Sequence, residues 1–373
     1  MRFQGGPFVR QDPYKVIVWA PGYLGSAVIK EVLKRPEFEL VGVLAYSDRK
    51  NGMDVGEMLG IEPVGVRMTT DQQAIFDMKA DCVIHCGTNM MDDTPRNREV
   101  VSLLESGKNV VASPNYHFPQ LRGAAFVRML EDACRKGGVS LYGTGINPGW
   151  LTERMAPLLT SFTNEIDYVR AQEYFNLSHV DLSMLKACTI GMEMERARRI
   201  IHKIEEGAGK PFYYPAVAQA VHVLGHDLER IDVESRFTPA REDVYLSASG
   251  VTIRKGDVAC WEHTWTGIVG GKPFFYLDEI FFVDGYSPVE VRGDHYRVIV
   301  EGKPASVSMQ MDVVASVEHN LLRRGADATT AGYYATAVIL MQAVPIACSA
   351  KPGIVYPENF AHYSSDYRKL HRS

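Results

Sequence analysis

Between Tyr14 and Gly145, short runs of β-branched and other apolar residues alternate with longer segments whose apolar residues recur every three or four positions. That alternation admits few folds, because strands separated by helices pair in parallel within one sheet whose faces the helices cover. Strands are predicted at 15–19, 40–46, 81–86, 109–112 and 139–142. The first helix carries Leu24, Ala27, Val28 and Val32 on one face and stops before Pro36. A second begins at Pro95, buries Val100, Val101 and Leu104, and ends at Gly107. A third, at 121–136, closes on Gly137 and Gly138.

Beyond Trp150 the texture changes. Helical stretches at 182–206 and 215–229 give way to strand-like runs at 251–253, 259–268, 274–283, 296–301 and 306–313, which read as antiparallel neighbours. The chain turns helical again around 329–348. With 373 residues it suits two domains rather than one core. The predicted division is a first domain at 1–150, an α+β domain at 151–328, and a C-terminal helical segment at 329–373 that returns to the first domain. The fold class predicted is α/β: a doubly wound parallel sheet of the Rossmann type, followed by an α+β domain with an open mixed or antiparallel sheet.

Composition excludes several function classes. Apolar residues make up 46% and charged residues 23%, as in a folded soluble protein. Forty Lys and Arg against 45 Asp and Glu leave a net charge of -5, so neither nucleic acid nor an anionic membrane is an expected partner. Six scattered cysteines do not form a disulfide framework, and a reducing cytoplasm is the expected location. The N-terminal residues lack the apolar core of a signal peptide. The greasiest stretch, 333–348, contains Gln342 and Pro345 and falls short of the roughly 20 residues that span a bilayer, so a buried helix is expected.

The first strand runs directly into Ala20-Pro21-Gly22-Tyr23-Leu24-Gly25, a G-x-G-x-x-G pattern with alanine at its first glycine. Gly22 lets backbone approach a pyrophosphate, Gly25 lets helix and strand pack closely, and the helix N-terminus supplies amide hydrogens and positive potential. Ala20, Gly22, Tyr23, Leu24 and Gly25 are therefore candidate dinucleotide-binding residues. After the second strand come Ser47, Asp48, Arg49 and Lys50. Ser47, Arg49 and Lys50 suit a ribose 2'-phosphate, which favours NADP; Asp48 is the feature that would instead suit NAD.

Ligands of such sheets bind beyond the carboxyl ends of the strands. Two further loops reach that edge, Gly87-Thr88-Asn89-Met90-Met91 and Ser113-Pro114-Asn115-Tyr116-His117. Gly87, Thr88, Ser113 and Asn115 are candidate cofactor contacts, and Met90 and Tyr116 candidate substrate contacts. His222 and His226 stand four apart on a predicted helix but lack the glutamate of a zinc motif, and no metal is predicted. Arg196, Arg198 and Arg199 are balanced by nearby glutamates and read as a solvated face.

The segment Gly143-Thr144-Gly145-Ile146-Asn147-Pro148-Gly149-Trp150, with residues 18–25 and Asp54-Val55-Gly56-Glu57, resembles the dihydrodipicolinate-reductase-like oxidoreductases. Within them it is most similar to the group of 2,4-diaminopentanoate dehydrogenase and the native amine dehydrogenases. The resemblance implies an NAD(P)-binding Rossmann domain, a second domain with an open sheet, and a homodimer built through that sheet. It implies further that Asn147 and Pro148 lie beside the nicotinamide and that Trp150 walls the substrate pocket. The implied reaction is reversible oxidative deamination of a small amine to a ketone or aldehyde. Two departures stand out. The sequence has no His-His pair, which true dihydrodipicolinate reductases carry. The glutamate that amine dehydrogenases place after the strand at 109–112 is replaced here by the Ser113 to His117 loop.

Hydride transfer leaves the protein to orient substrate and manage one proton. His117 is the first candidate for the proton, its imidazole titrating near neutrality. Glu173, Glu153 and a water held by Asn115 are the alternatives. Three functions follow: an NADP-dependent amine dehydrogenase, an imine or carbonyl reductase needing no ammonia, and a non-catalytic NADP-binding sensor or assembly subunit.

Overall fold

A computed structural model describes residues 10, 12–87, 94–113, 116–180, 182–205, 213–291, 294–314 and 331–356. The chain divides into two compact units, one of residues 1–145 and 333–356, the other of 146–332 and 357–373.

The first unit is built on strands β1 (Tyr14–Trp19), β2 (Phe38–Leu44), β3 (Met68–Thr69), β4 (Cys82–His85), β5 (Asn109–Ala112) and β6 (Ser140–Gly143), joined by a C-terminal strand at Gly353–Val355. Among the described residues the order is C-terminal strand, β6, β5, β4, β1, β2, β3, and every pairing is parallel. The order reverses between β1 and β4, the switch point of a doubly wound sheet. The central strands β1, β4, β5 and β6 are buried on both faces over most of their length, which is why they read as continuous apolar runs rather than alternating ones. Val16 and Val18 of β1 pack on one face with Val28, Val32, Leu340 and Val344. Ile17 and Trp19 pack on the other with Val100, Leu103, Leu104 and Leu130.

The helix Tyr23–Leu33 follows β1 directly, and Thr94–Glu105 contains Pro95 in its first turn. The helix expected at 121–136 is interrupted: one turn at Pro119–Arg122 precedes Ala124–Gly137, because Gly123 takes φ 94° between them. Ala331–Ser349 is a single 19-residue helix, long and apolar enough by length and composition to cross a membrane. Its Ala337, Leu340, Val344 and Ala347 lie in the core of the first unit. Those four account for part of its apolar character as core, while Val338 and Ile346 are exposed.

The second unit holds β7 (Glu165–Asn176), β8 (Arg230–Pro239), β9 (Val244–Leu246), β10 (Val251–Ile253), β11 (Val258–Val269), β12 (Lys272–Phe282), β13 (Asp294–Lys303) and β14 (Val307–Val313). Strands β9 and β10 form a small hairpin, and the others make a sheet in the order β14, β13, β7, β12, β11, β8. The antiparallel expectation needs correction at its centre, where β7 and β12 run parallel, so the sheet is mixed. The expected helix at 182–206 is two, Leu182–Ala187 and Met194–Glu205. Between them Thr189 (φ 58°) and Gly191 (φ 73°) take left-handed conformations that a helix cannot continue through. The helix expected at 215–229 is Tyr214–Val223, and the chain enters β8 at Arg230.

Candidate active site

The dinucleotide fingerprint closes on itself through backbone. Ala20, at the position of the motif's first glycine, has φ 69°, a left-handed conformation that costs an alanine roughly 1 kcal/mol. Its turn brings the Ala20 carbonyl to the Gly22 N–H, which donates across 2.9 Å. It also brings that carbonyl over Gly25, where an added Cβ would sit 2.3 Å from the oxygen. Gly22 is the N-cap of Tyr23–Leu33 and has no capping side chain, and a Cβ built on it would meet nothing within 4 Å. The start of this helix is thus an open cradle of the kind that accepts a phosphate.

Ser47, Asp48 and Arg49 are exposed beyond the end of β2, and Lys50 is half-buried. Lys50 Nζ donates to the Pro21 carbonyl oxygen at 2.7 Å, which draws the ammonium onto the fingerprint loop. Of these residues, Lys50 is thereby placed beside the fingerprint loop.

A hydrogen-bond network that sequence reasoning missed stands at the switch point, running from buried Trp19 and His85 to exposed Tyr46. Trp19 Nε1 donates to the Tyr46 hydroxyl (3.0 Å), which donates to Glu99 Oε2 (2.7 Å), and His85 Nε2 lies 3.2 Å from the same oxygen. Burial alone would raise the Glu99 carboxyl, but hydrogen bonds from His85 and Tyr46 outweigh it and hold it below its ordinary value. Burial keeps His85 below its usual range despite that carboxylate, so its neutral ring donates from Nε2. An added Cβ on Gly87 would lie 2.9 Å from the Tyr46 hydroxyl oxygen, so a larger residue there would displace the end of that side chain.

Tyr116 is buried in the core of the first unit, and its hydroxyl donates to Asn97 Oδ1 at 2.8 Å. His117 is buried too; its backbone and that of Tyr116 press on Gly143, where an added Cβ would fall 2.7 Å from the His117 nitrogen. Ser113 is buried at the end of β5. Thr88, Met90 and Asn115 lie outside the described residues.

The segment after β6 leads into the second unit. Asn147 and Pro148 are extended and joined by a cis peptide, and Gly149 turns the chain at φ 134°. Trp150 follows, half-buried. This bend sets the Asn147 amide over the sheet. Its Nδ2 donates to Glu173 Oε2 at 2.7 Å and to Glu279 Oε1 at 2.8 Å. Glu173 on β7 and Glu279 on β12 are paired in register, so both side chains share one sheet face. The row continues to Tyr296 beside Glu173 and to His263 beside Glu279, with Ser235 beyond.

Glu173 and Glu279 are 6% and 0% exposed. Burial raises the Glu173 carboxyl, and burial together with the neighbouring Glu173 pushes Glu279 well above the carboxylate range. Two carboxyls this close and this buried hold a proton between them. Glu153 is buried as well and is raised by desolvation, with Arg154 acting against the shift. Of the residues read from sequence, Asn147 and Glu173 are brought together. Glu279 was missed, because a Leu-Asp-Glu-Ile run inside a strand carries no motif; its one signal was a carboxylate flanked by apolar residues.

Comparison with known proteins agrees with this layout. Residues 14–93 match the family described as dihydrodipicolinate reductase, N-terminus. An amine dehydrogenase of Streptomyces virginiae is 24% identical over 91% of this chain and 93% of its own length. The 2,4-diaminopentanoate dehydrogenase of Acetoanaerobium sticklandii is 22% identical over 92% of each. Among solved structures, the amine dehydrogenase of Mycobacterium smegmatis superposes with a TM-score of 0.76 at 21% identity, covering 92% of this chain and 95% of that one. At that identity the structural match establishes the fold. The chain is thus similar along nearly its whole length to amine dehydrogenases and a diaminopentanoate dehydrogenase, with the N-terminus of dihydrodipicolinate reductase matched at its fingerprint end.

Proposed function

We propose that the protein is an NADP-dependent oxidoreductase acting on C–N bonds, an amine dehydrogenase that interconverts a small amine with its ketone or aldehyde and ammonia. The observation that carries this reading is the open cradle at Gly22, set at the switch point of a parallel sheet in a chain similar throughout to amine dehydrogenases. Ala20 and Gly25 shape the turn, the first turn of Tyr23–Leu33 offers amide hydrogens to the pyrophosphate, and Ser47, Arg49 and Lys50 hold the 2'-phosphate. NAD is the alternative cofactor, with Asp48 on the ribose. The nicotinamide, when bound, supplies or accepts the hydride. The chain's own residues orient the substrate and hold the proton, and among those read as catalytic Glu173 is placed against a second carboxyl.

A second reading, an imine or carbonyl reductase independent of ammonia, is favoured by one observation: the loop from Ser113 to His117 lacks the expected glutamate. We read either enzyme as a cytoplasmic homodimer with a small-molecule substrate, no nucleic-acid or membrane partner, and no metal. NADPH consumption across a panel of ketones and aldehydes, with and without ammonium, separates the two. Ammonium-dependent formation of an amine is expected; carbonyl-dependent consumption that ignores ammonium would establish the reductase.

A further inference from the structure

We infer that the Glu173 and Glu279 carboxyls, spanned by Asn147, form the site that binds the substrate nitrogen as a cation and exchanges its proton. The inference rests on the amine dehydrogenase reading and supplies the group that the Ser113 to His117 loop lacks.

The arrangement asks for a hydrogen-bond donor. Asn147 Nδ2 already bonds to both carboxyls, while Asn147 Oδ1 and Glu279 Oε2 are buried without a hydrogen-bond partner. Asn147 Oδ1 is an acceptor, and Glu279 Oε2 becomes one when its carboxyl ionises; a buried acceptor left unmatched is costly. His263, in register with Glu279, adds a third unmatched atom: its Nδ1 lies 2.5 Å from Ser235 Oγ, and its Nε2 is buried without a hydrogen-bond partner. An ammonium ion presents four donors and no acceptor, which matches this set.

The charges agree. The groups acting on the two carboxyls are Asn147, Tyr213 and Tyr296, each carboxyl on the other, and burial; none is basic. Cys188 also lies in the field of the pair, and Asp294 acts on Tyr296. Burial pushes His263 down to about 3, so its ring stays neutral. The site therefore holds excess negative charge with no resident cation among the described residues. Trp261 and Trp265 flank His263, with ring centroids at 5.0 and 4.3 Å, and line the adjoining surface with aromatic rings whose indole N–H groups are buried without a hydrogen-bond partner. The substrate class that fits is a primary amine, or ammonium with an apolar carbonyl compound, carrying no carboxylate of its own near the nitrogen.

In the free protein one proton is shared by the pair; binding of ammonium ionises both carboxyls and releases it. One carboxylate then takes a proton from the ammonium and leaves ammonia. The nitrogen lone pair forms the C–N bond to the carbonyl carbon, the C=O π pair moves to oxygen, and the carboxyl returns the proton to that oxygen. The product is a carbinolamine protonated on nitrogen, which keeps the single positive charge of the ammonium that entered; the second carboxylate takes that proton and leaves the neutral carbinolamine.

The test uses full-length protein, its variants Glu173→Gln and Glu279→Gln, and the carbonyl panel with ammonium chloride. Each variant is expected to raise the KM for ammonium about ten-fold or more while leaving the NADPH dissociation constant within about two-fold. Ammonium KM and pH profile unchanged in both variants, with the wild type turning over, would overturn the inference and leave the dehydrogenase reading standing. Where the variants do not fold, an indicator-monitored titration of weakly buffered wild type with ammonium chloride, against sodium chloride, gives the answer without turnover. Release of close to one proton per chain supports the site, and no release refutes it. Proton release without turnover on any carbonyl keeps the cation site and removes the dehydrogenase.

Discussion

A Cβ placed on Gly25 falls 2.3 Å from the carbonyl oxygen of Ala20. No side-chain rotation relieves such a contact, because both atoms belong to backbone-fixed positions. Gly25→Ala must push helix Tyr23–Leu33 away from β1 and open the cradle at Gly22. We expect a loss of about 1–3 kcal/mol in stability and at least a ten-fold rise in the NADPH dissociation constant, measured by thermal denaturation and NADPH fluorescence. An alanine variant that binds NADPH normally would detach the fingerprint from cofactor binding.

On the proposed reading, the loop after β2 sets cofactor choice. Each charge-assisted hydrogen bond to a phosphate contributes about 1.5–3 kcal/mol. Arg49→Ala and Lys50→Ala should therefore weaken NADPH about ten-fold or more each and leave NADH nearly unchanged. Lys50→Ala also removes the bond to Pro21, so Arg49→Ala is the cleaner of the two comparisons. Equal losses for both nucleotides in that variant would place the 2'-phosphate elsewhere.

The buried carboxyl pair has a thermodynamic signature. Unfolded, a glutamate titrates near about 4.3; folded, Glu279 is held well above that by burial and by Glu173. Between those values the folded chain keeps a proton that the unfolded chain has released, so the stabilisation present at low pH is lost as pH rises. Glutamine has no such proton. The melting temperature of Glu279→Gln, relative to wild type, should climb as pH rises above the unfolded value of about 4.3. A difference that stays flat would show that the pair holds no extra proton.

Glu99 carries the opposite dependence. Its carboxyl is lowered on balance, burial being outweighed by His85 and Tyr46, so its contribution is present above the ordinary carboxyl range and lost as pH falls. Glu99→Gln should cost about 1–2 kcal/mol near neutrality, and the deficit should shrink as pH is lowered toward about 4. Chemical denaturation of both proteins at two pH values measures it.

If the carboxyl pair binds the substrate nitrogen, selectivity follows from the absence, among the described residues, of a basic group acting on Glu173 and Glu279. A 2-oxo acid would bring its carboxylate against two buried carboxyls, which like-charge repulsion opposes. For matched carbon skeletons, kcat/KM should favour the simple ketone or aldehyde by about ten-fold or more. Preference for the oxo acid would require a cation at this site that the row across the sheet does not contain.

The first unit was legible in the sequence because a parallel sheet buried on both faces writes each strand as an unbroken apolar run. The strand Asn109–Ala112 was predicted with its observed bounds. The long strand Glu165–Asn176 was not seen, since its exposed face carries Asp, Arg and Gln and its buried face includes Glu173, a mixture that reads as loop or helix. Register hid the rest. That Glu173 faces Glu279 depends on β7 pairing in parallel with β12, about a hundred residues later, which periodicity within either strand does not encode. The network of Trp19, Tyr46, His85 and Glu99 was hidden likewise, each member coming from a different element.

The sheet of the first unit takes its edge strand from Gly353–Val355, and its core takes Leu340 and Val344 from the helix just before it. Synthesis therefore reaches the last structural pieces of this unit some two hundred residues after its sixth strand, once the intervening unit at 146–332 has been made. On the ribosome the fingerprint strand emerges early and its core is closed late. The middle of the polypeptide can mature before its beginning, and a fragment ending at residue 145 would leave one face of the nucleotide-binding sheet uncovered.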